Sequence, residues 1–433
     1  MHWFHAPVTR RRFISSTGAL ALSSALPTVL FAKTGGPARL VVVILRGALD
    51  GLAAVPPHGD PAYAGLHREL AIAVPGAADG ALGLDGLFGL HPSLGFLHER
   101  YLGGELIVLH AVASPYRDRS HFDGQNVLEN GLTQPLGTAD GWLNRALATL
   151  PARRSGGDSE RAVAISQNVP LILRGDAPVL SKSPLATPDV DEDLLARLAD
   201  LYSKDDWFSA RLSEAVQTEK LGDRRAEVGG GEPASAASRV PSMPAQPAAP
   251  SQQAAATGLP VTDRISGAAR MAAALMRSEG GPEIAVIEAG GWDTHANQGG
   301  AKGTLAQRLL GLDNALRALA DELGALWPQT AVLVVTEFGR TAAMNGTRGT
   351  DHGTGSCAFL AGGAVRGGRV IADWPGLTPS ALLENRDLRP TLDLRSVFKG
   401  LLDEHLRIDA KTLATRVFPD SSNARALRGL IRA

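Results

Sequence analysis

The run "ARLVVVILRGALDG" at 38–51 limits what this chain can fold into more than any other stretch. From Leu40 to Leu45 every residue is apolar, the centre is β-branched, and Gly47 and Gly51 end the run. A strand of that kind has no polar face to offer water, so it suits a parallel sheet covered by helices on both sides. "GELIVLHAVAS" (104–114), "RAVAISQ" (161–167), "PEIAVIEAGG" (282–291) and "QTAVLVVTEFGR" (329–340) share the character. Helical patterns lie between them. "TLAQRLLGLDNALRALADELGALW" (304–327) puts leucines at 305, 309, 312, 316, 319, 323 and 326, three and four apart along one face. Strands alternating with helices predict an α/β fold with a doubly wound, mostly parallel central sheet and helices on both faces. With 433 residues and 44% hydrophobic content, the chain can bury a sizeable core.

Two segments fall outside that pattern. "TRRRFISSTGALALSSALPTVLFA" carries Arg10, Arg11 and Arg12 before Phe13 and a short, weakly apolar run ending near Ala32. Residues 1–32 are expected to be a twin-arginine signal peptide, with the twin-arginine export machinery as a partner and a periplasmic or otherwise exported destination. The apolar run is shorter than the ~20 residues a bilayer span requires, so no stable membrane span is expected. Residues 226–258, "AEVGGGEPASAASRVPSMPAQPAAPSQQAAATG", have no apolar periodicity and are expected to form a disordered insert within a single domain at 38–433. A boundary between two domains is the alternative. A formal charge of -1 gives no footprint for nucleic acid, and the single cysteine, Cys357, excludes an intramolecular disulfide.

In open α/β sheets ligands bind at the carboxyl ends of the strands. The first run ends at Arg46 and Asp50, the fourth at Glu288, Asp293 and His295, and the fifth at Glu337 and Arg340. A Gly-rich loop then delivers Asp351 and His352 in "GTDHGTGS". Carboxylates gathered at one rim repel one another, and a divalent cation relieves that repulsion. Mixed imidazole and carboxylate donors favour a transition metal. Each residue also has a plain structural reading. Asp50 can serve as a turn residue, Asp293 and His295 can close a loop, and Glu337 can pair with Arg340. Ser120 in "SPYRDRSHFDGQNVLENG" (114–131) stands at a helix start, either as a nucleophile or as an N-cap. Arg117 and Arg119 nearby can clamp an anionic group, and His121 and Asp123 are spare ligand candidates.

"LRGALDGL", "SHFDGQN", "GGWDTHANQ", "TEFGRT" and "GTDHGTGS", behind a twin-arginine signal, resemble the bacterial family known as domain of unknown function 1501. The resemblance spans roughly 38–433 apart from the insert. That family is similar, more distantly, to the alkaline phosphatase and sulfatase superfamily. This implies an alkaline phosphatase-like α/β core and one or two divalent ions (zinc, manganese or calcium) beside a Ser or Thr nucleophile. Carried over residue by residue, it makes Asp50, Asp293, His295, Glu337, Asp351 and His352 metal ligands and Ser120 the nucleophile; Arg119 and Arg340, read from their own stretches, are expected to be catalytic beside it. Glu288 and Asp293 match an acid followed four residues later by an aspartate. His295, however, lies two positions beyond Asp293 where four is the pattern, and Phe338 stands where a histidine is expected. Cys357 in "GSCAFLAG" lacks the context of a formylglycine-type sulfatase.

Two functions follow as expectations. One is an exported metal-dependent hydrolase of small anionic phosphate or sulfate esters, using a Ser nucleophile or metal-activated water. The other is a non-catalytic periplasmic binding or assembly protein with a ligand or structural metal site on the same scaffold.

Overall fold

The computed structural model of the chain describes residues 37–151, 160–184, 238–239 and 261–432. The signal segment at 1–32 lies outside them, as does 226–258 apart from Ser238–Arg239.

The strands in chain order are β1 (Arg39–Arg46), β2 (Leu82–Gly83), β3 (Gly89–Leu90), β4 (Leu106–Ala113), β5 (Ala162–Ile165) and β6 (Leu180–Ser181). They continue with β7 (Ser238–Arg239), β8 (Ile284–Gly290), β9 (Thr330–Thr336), β10 (Ser356–Ala361), β11 (Arg369–Ile371) and β12 (Leu392–Asp393). The helices used below are α1 (Gly51–Ala54), α2 (Tyr63–His67), α3 (Gly95–Leu102), α4 (His121–Asn130), α5 (Trp142–Leu147), α6 (Val261–Arg277), α7 (Thr304–Leu323) and α8 (Leu394–Leu406).

The sheet runs β11-β4-β10-β9-β1-β8-β5-β6-β7, with β12 pairing the end of β4. All five apolar runs are strands of it, and β1 lies near the middle between β8 and β9, parallel to both. β5 is parallel to β8, and β4 has the same sense because β10 runs antiparallel to both β4 and β9. Thus β1, β4, β5, β8 and β9 deliver their carboxyl ends to one edge. Ser238–Arg239, inside the segment expected to be disordered, pairs antiparallel with β6.

Side chains alternate across each strand, and the alternation divides the core into two layers. Val41, Val43 and Leu45 of β1 face α3, α6 and α7, while Leu40, Val42 and Ile44 face α5 and α8. On α7 the periodic leucines 305, 309, 312, 316, 319 and 323 are all buried against the first layer. Each such leucine contributes roughly 1.5–3 kcal/mol on leaving water. Helices thus cover both faces of the sheet, as expected for a doubly wound α/β fold. Among the described residues no helix is long and apolar enough to cross a membrane.

Candidate metal centre

Four segments meet where the strands end. The β1 chain turns at Gly47, whose φ of 122° and tight quarters admit no side chain: a Cβ there would lie 2.6 Å from the amide nitrogen of Asp293. The loop after β8 carries Asp293 and His295, and the connection from β9 to β10 carries Glu337, Arg340, Asp351 and His352. The loop after β4 ends at α4, whose first residue is His121.

Three imidazoles and one carboxylate converge. His352 Nε2 lies 2.9 Å from His121 Nε2 and 3.0 Å from His295 Nε2. Oδ1 of Asp293 is 3.3 Å from His352 Nε2 and 3.1 Å from His295 Nε2, and its Oδ2 is 3.6 Å from His121 Nε2. His121, Asp293 and His352 each offer a ligand atom within 4.8 Å of the others. Donors around one zinc-sized ion at ~2.0–2.1 Å in a tetrahedron stand about 3.3 Å apart, close to the spacing among His121, Asp293 and His352; His295 adjoins Asp293 and His352.

The far nitrogens explain why the near ones are bare. His121 Nδ1 is 2.8 Å from Glu337 Oε1, His295 Nδ1 is 3.1 Å from Asp351 Oδ1, and His352 Nδ1 is 3.0 Å from the Arg119 carbonyl oxygen. Each acceptor fixes the proton on Nδ1 and leaves a lone pair on Nε2. Three lone pairs then face one another and a carboxylate, an arrangement that calls for a cation. Without a metal a proton serves. Burial pulls the His121 imidazole down, but hydrogen bonds to Asp293 and Glu337 outweigh it and push it up to about 9. Burial likewise raises the Asp293 carboxyl, and bonds from His121, His352 and Arg340 overcome this and hold it well below the usual carboxylate range. The nitrogen-rich donor set fits a transition ion better than magnesium or calcium.

The remaining expected residues take other places. Glu337 is not a ligand in this geometry; it is fully buried behind His121 and accepts from Gly47 N at 2.8 Å and Thr336 Oγ1 at 2.9 Å. Asp351 stands behind His295 in the same way and accepts from Asn345 Nδ2 at 3.0 Å. Arg340 pairs with Asp293 rather than Glu337, Nη1 to Oδ1 at 2.7 Å, with its side chain wholly buried. Asp50 belongs to none of these contacts: it caps α1, with Oδ1 accepting from the amides of Leu52 and Ala53. The Arg119 guanidinium turns away to Asp387 and Glu384, so that only its carbonyl serves the centre. Arg117 donates to the carbonyls of Ser114 and Tyr116. Glu288 joins Arg46, which also holds Glu129, in a partly buried ion-pair network. Asp123 meets Tyr116 Oη at 3.5 Å, and Cys357 is buried in β10. Ser120 takes the N-cap position of α4, but its side chain makes no cap bond.

His121, a spare candidate in the sequence, is a full member of the cluster. Its signal was position: the first residue of a helix entered from a strand end aimed at the rim.

Among solved structures, the chain is similar to "Ps i-CgsB in complex with k-i-k-neocarrahexaose", at 8% identity and a TM-score of 0.40, covering 90% of this chain and 77% of that one. It is also similar to "PsFucS1 sulfatase from Pseudoalteromonas sp.", at 13% identity and a TM-score of 0.34, covering 84% and 68%. At these values the likeness says nothing of activity. No curated protein matches the chain. The family described as protein of unknown function (DUF1501) matches residues 37–417, and the chain belongs to that family.

Proposed function

We propose that this chain is an exported metal-dependent hydrolase of small phosphate or sulfate esters. The observation that carries the reading is the set of three imidazoles, each held at Nδ1 by an acceptor and turned with Nε2 toward Asp293. His121, Asp293, His295 and His352 would hold one ion. Such an ion supplies a Lewis acid that acidifies water and draws charge from an ester oxygen.

The chain's own groups supply the rest. Arg340 holds Asp293 in place through Oδ1. The Asp293 and His295 side chains are 42% and 44% exposed, so a small substrate can reach them. Arg386 donates to the His352 carbonyl at 2.7 Å and pairs with Asp387 at 3.1 Å, which fixes the backbone of His352. The reading takes water as the nucleophile, since among the described residues no contact joins the Ser120 hydroxyl to the imidazoles. Export through the twin-arginine route, which carries folded proteins, agrees with loading the ion before secretion.

Hydrolysis of generic phosphate and sulfate esters, with the protein reconstituted separately with zinc and manganese, tests this reading. Turnover is expected in the wild type and in Ser120→Ala, and none in Asp293→Ala, which also loses its metal. Loss of turnover in Ser120→Ala, with metal retained, would make Ser120 the nucleophile. A second reading, a binding or assembly protein with a structural ion, draws support from Arg340, which already neutralises Asp293. Bound metal without turnover of any ester would favour it.

A further inference from the structure

Asp50 has more partners than a helix cap needs. It is buried, and Oδ1 accepts from the amides of Leu52 at 3.1 Å and Ala53 at 3.0 Å, which completes the cap of the four-residue α1. Its other oxygen looks away from α1. Oδ2 accepts from Gln298 Nε2 at 2.8 Å, and Thr350 Oγ1, whose proton has its shorter contact to Gln298, lies 3.4 Å from it. Gln298 in turn accepts through Oε1 from Thr294 Oγ1 at 2.7 Å and Thr350 Oγ1 at 2.9 Å. Thr294 stands between Asp293 and His295, and Thr350 immediately precedes Asp351 and His352. Close by stands His67 of α2. Its Nε2 lies 3.6 Å from Asp50 Oδ2, and its Nδ1 is 2.9 Å from the carbonyl of Ala342, two residues beyond Arg340.

One buried carboxylate is therefore hydrogen-bonded, through Gln298 and Thr350, to the two loop segments that bring Asp293 with His295 and His352 with Asp351 to the rim, while His67 lies beside it at 3.6 Å without a hydrogen bond at Nε2 among the described residues. Serine, threonine or asparagine would serve the α1 cap about as well. Only a carboxylate accepts on both oxygens; an asparagine there either sets its amide against the Gln298 amide donor to donor or makes Gln298 turn over and the Thr294 and Thr350 hydroxyls reverse. We propose that Asp50 is the positioning residue of the metal centre, setting through Gln298 and Thr350 the spacing of Asp293 and His295 against His352. The proposal rests on the metal reading above and adds to it a residue that touches no ligand atom.

Cobalt(II) titration of the full-length protein tests it, reading the dissociation constant and the ligand-field spectrum beside the thermal midpoint. Asp50→Asn is expected to weaken cobalt binding about tenfold or more, in the range of changes behind metal ligands, and to alter the spectrum. The exchange Asp50→Asn with Gln298→Glu reverses one hydrogen bond and conserves charge, so it is expected to restore both. Thr350→Val, which removes a link without touching the cap, is expected to weaken binding in a protein that folds. If Asp50→Asn and Thr350→Val bind cobalt with wild-type affinity and spectrum, Asp50 is a cap and the proposal is wrong, whatever their thermal midpoints. If the wild type binds no cobalt, the metal reading falls and the proposal with it.

Discussion

Each histidine of the centre is fixed by the nitrogen that faces away from it. An imidazole with its Nδ1 proton held by a carboxylate or carbonyl keeps its ring angle and presents a more basic Nε2. Glu337 does this for His121 while also accepting from Gly47 and Thr336, so it is rigid and fully satisfied. Glu337→Gln removes the charge and keeps the shape. It is expected to weaken metal binding about 10–100-fold while the protein stays folded, checked by competitive chelator titration beside circular dichroism. That Glu337 and Asp351 stand behind histidines was not legible in the sequence. A carboxylate at a strand end lies equally near the rim whether it binds an ion or binds a ligand of the ion. The difference is one ring width, which depends on where an imidazole from elsewhere arrives. For His121 that imidazole comes from a helix 216 residues away from Glu337.

Among the elements, the strands were easy to foresee and the return strand was not. β1, β4, β5, β8 and β9 are buried on both faces, so their sequences are solid apolar runs that admit little else. β10 is just as buried, but "SCAFLA" is short and set among glycines, and it pairs antiparallel with β9 without an intervening helix. Expecting strand and helix to alternate passes over such a segment. The glycines around it do foretell close packing of loops. A Cβ at Gly349 would lie 2.3 Å from the carbonyl oxygen of His295, so the two ligand loops touch backbone to backbone. The same logic governs the junction of β1 with the loop after β8. Gly47→Ala must strain a φ of 122° and push on Asp293. It is expected to cost about 1–3 kcal/mol of stability and to weaken metal binding. Denaturant unfolding and metal titration of the purified variant check both, and wild-type values in either would contradict the tight junction.

For the molecule as a whole, the buried polar groups decide how stability depends on pH. His110, in β4, donates from Nε2 to the Val55 carbonyl at 3.0 Å and accepts at Nδ1 from the Ala111 amide at 2.7 Å. The neutral ring is therefore fully satisfied, and burial holds it down to about 4, from an ordinary value of 6.5. The unfolded chain takes up this proton as pH falls below 6.5, and the folded chain resists until about 4. The contribution of His110 is thus present above 6.5 and lost as pH falls through that window. It amounts to about 2 kcal/mol between about pH 7 and about pH 5. Unfolding titrations at the two pH values should show a smaller loss in His110→Gln than in the wild type; equal losses would contradict the account.

The candidate centre is a matter of the whole fold, since its residues lie on α4, the loop after β8 and the loop before β10, and only the sheet brings them together. The most direct measurement is X-ray absorption spectroscopy with elemental analysis on the protein reconstituted with zinc. The account predicts one ion per chain, with a first shell dominated by imidazole nitrogen and completed by carboxylate oxygen, lost in Asp293→Ala. No bound zinc, or an ion whose shell contains no imidazole, would contradict it.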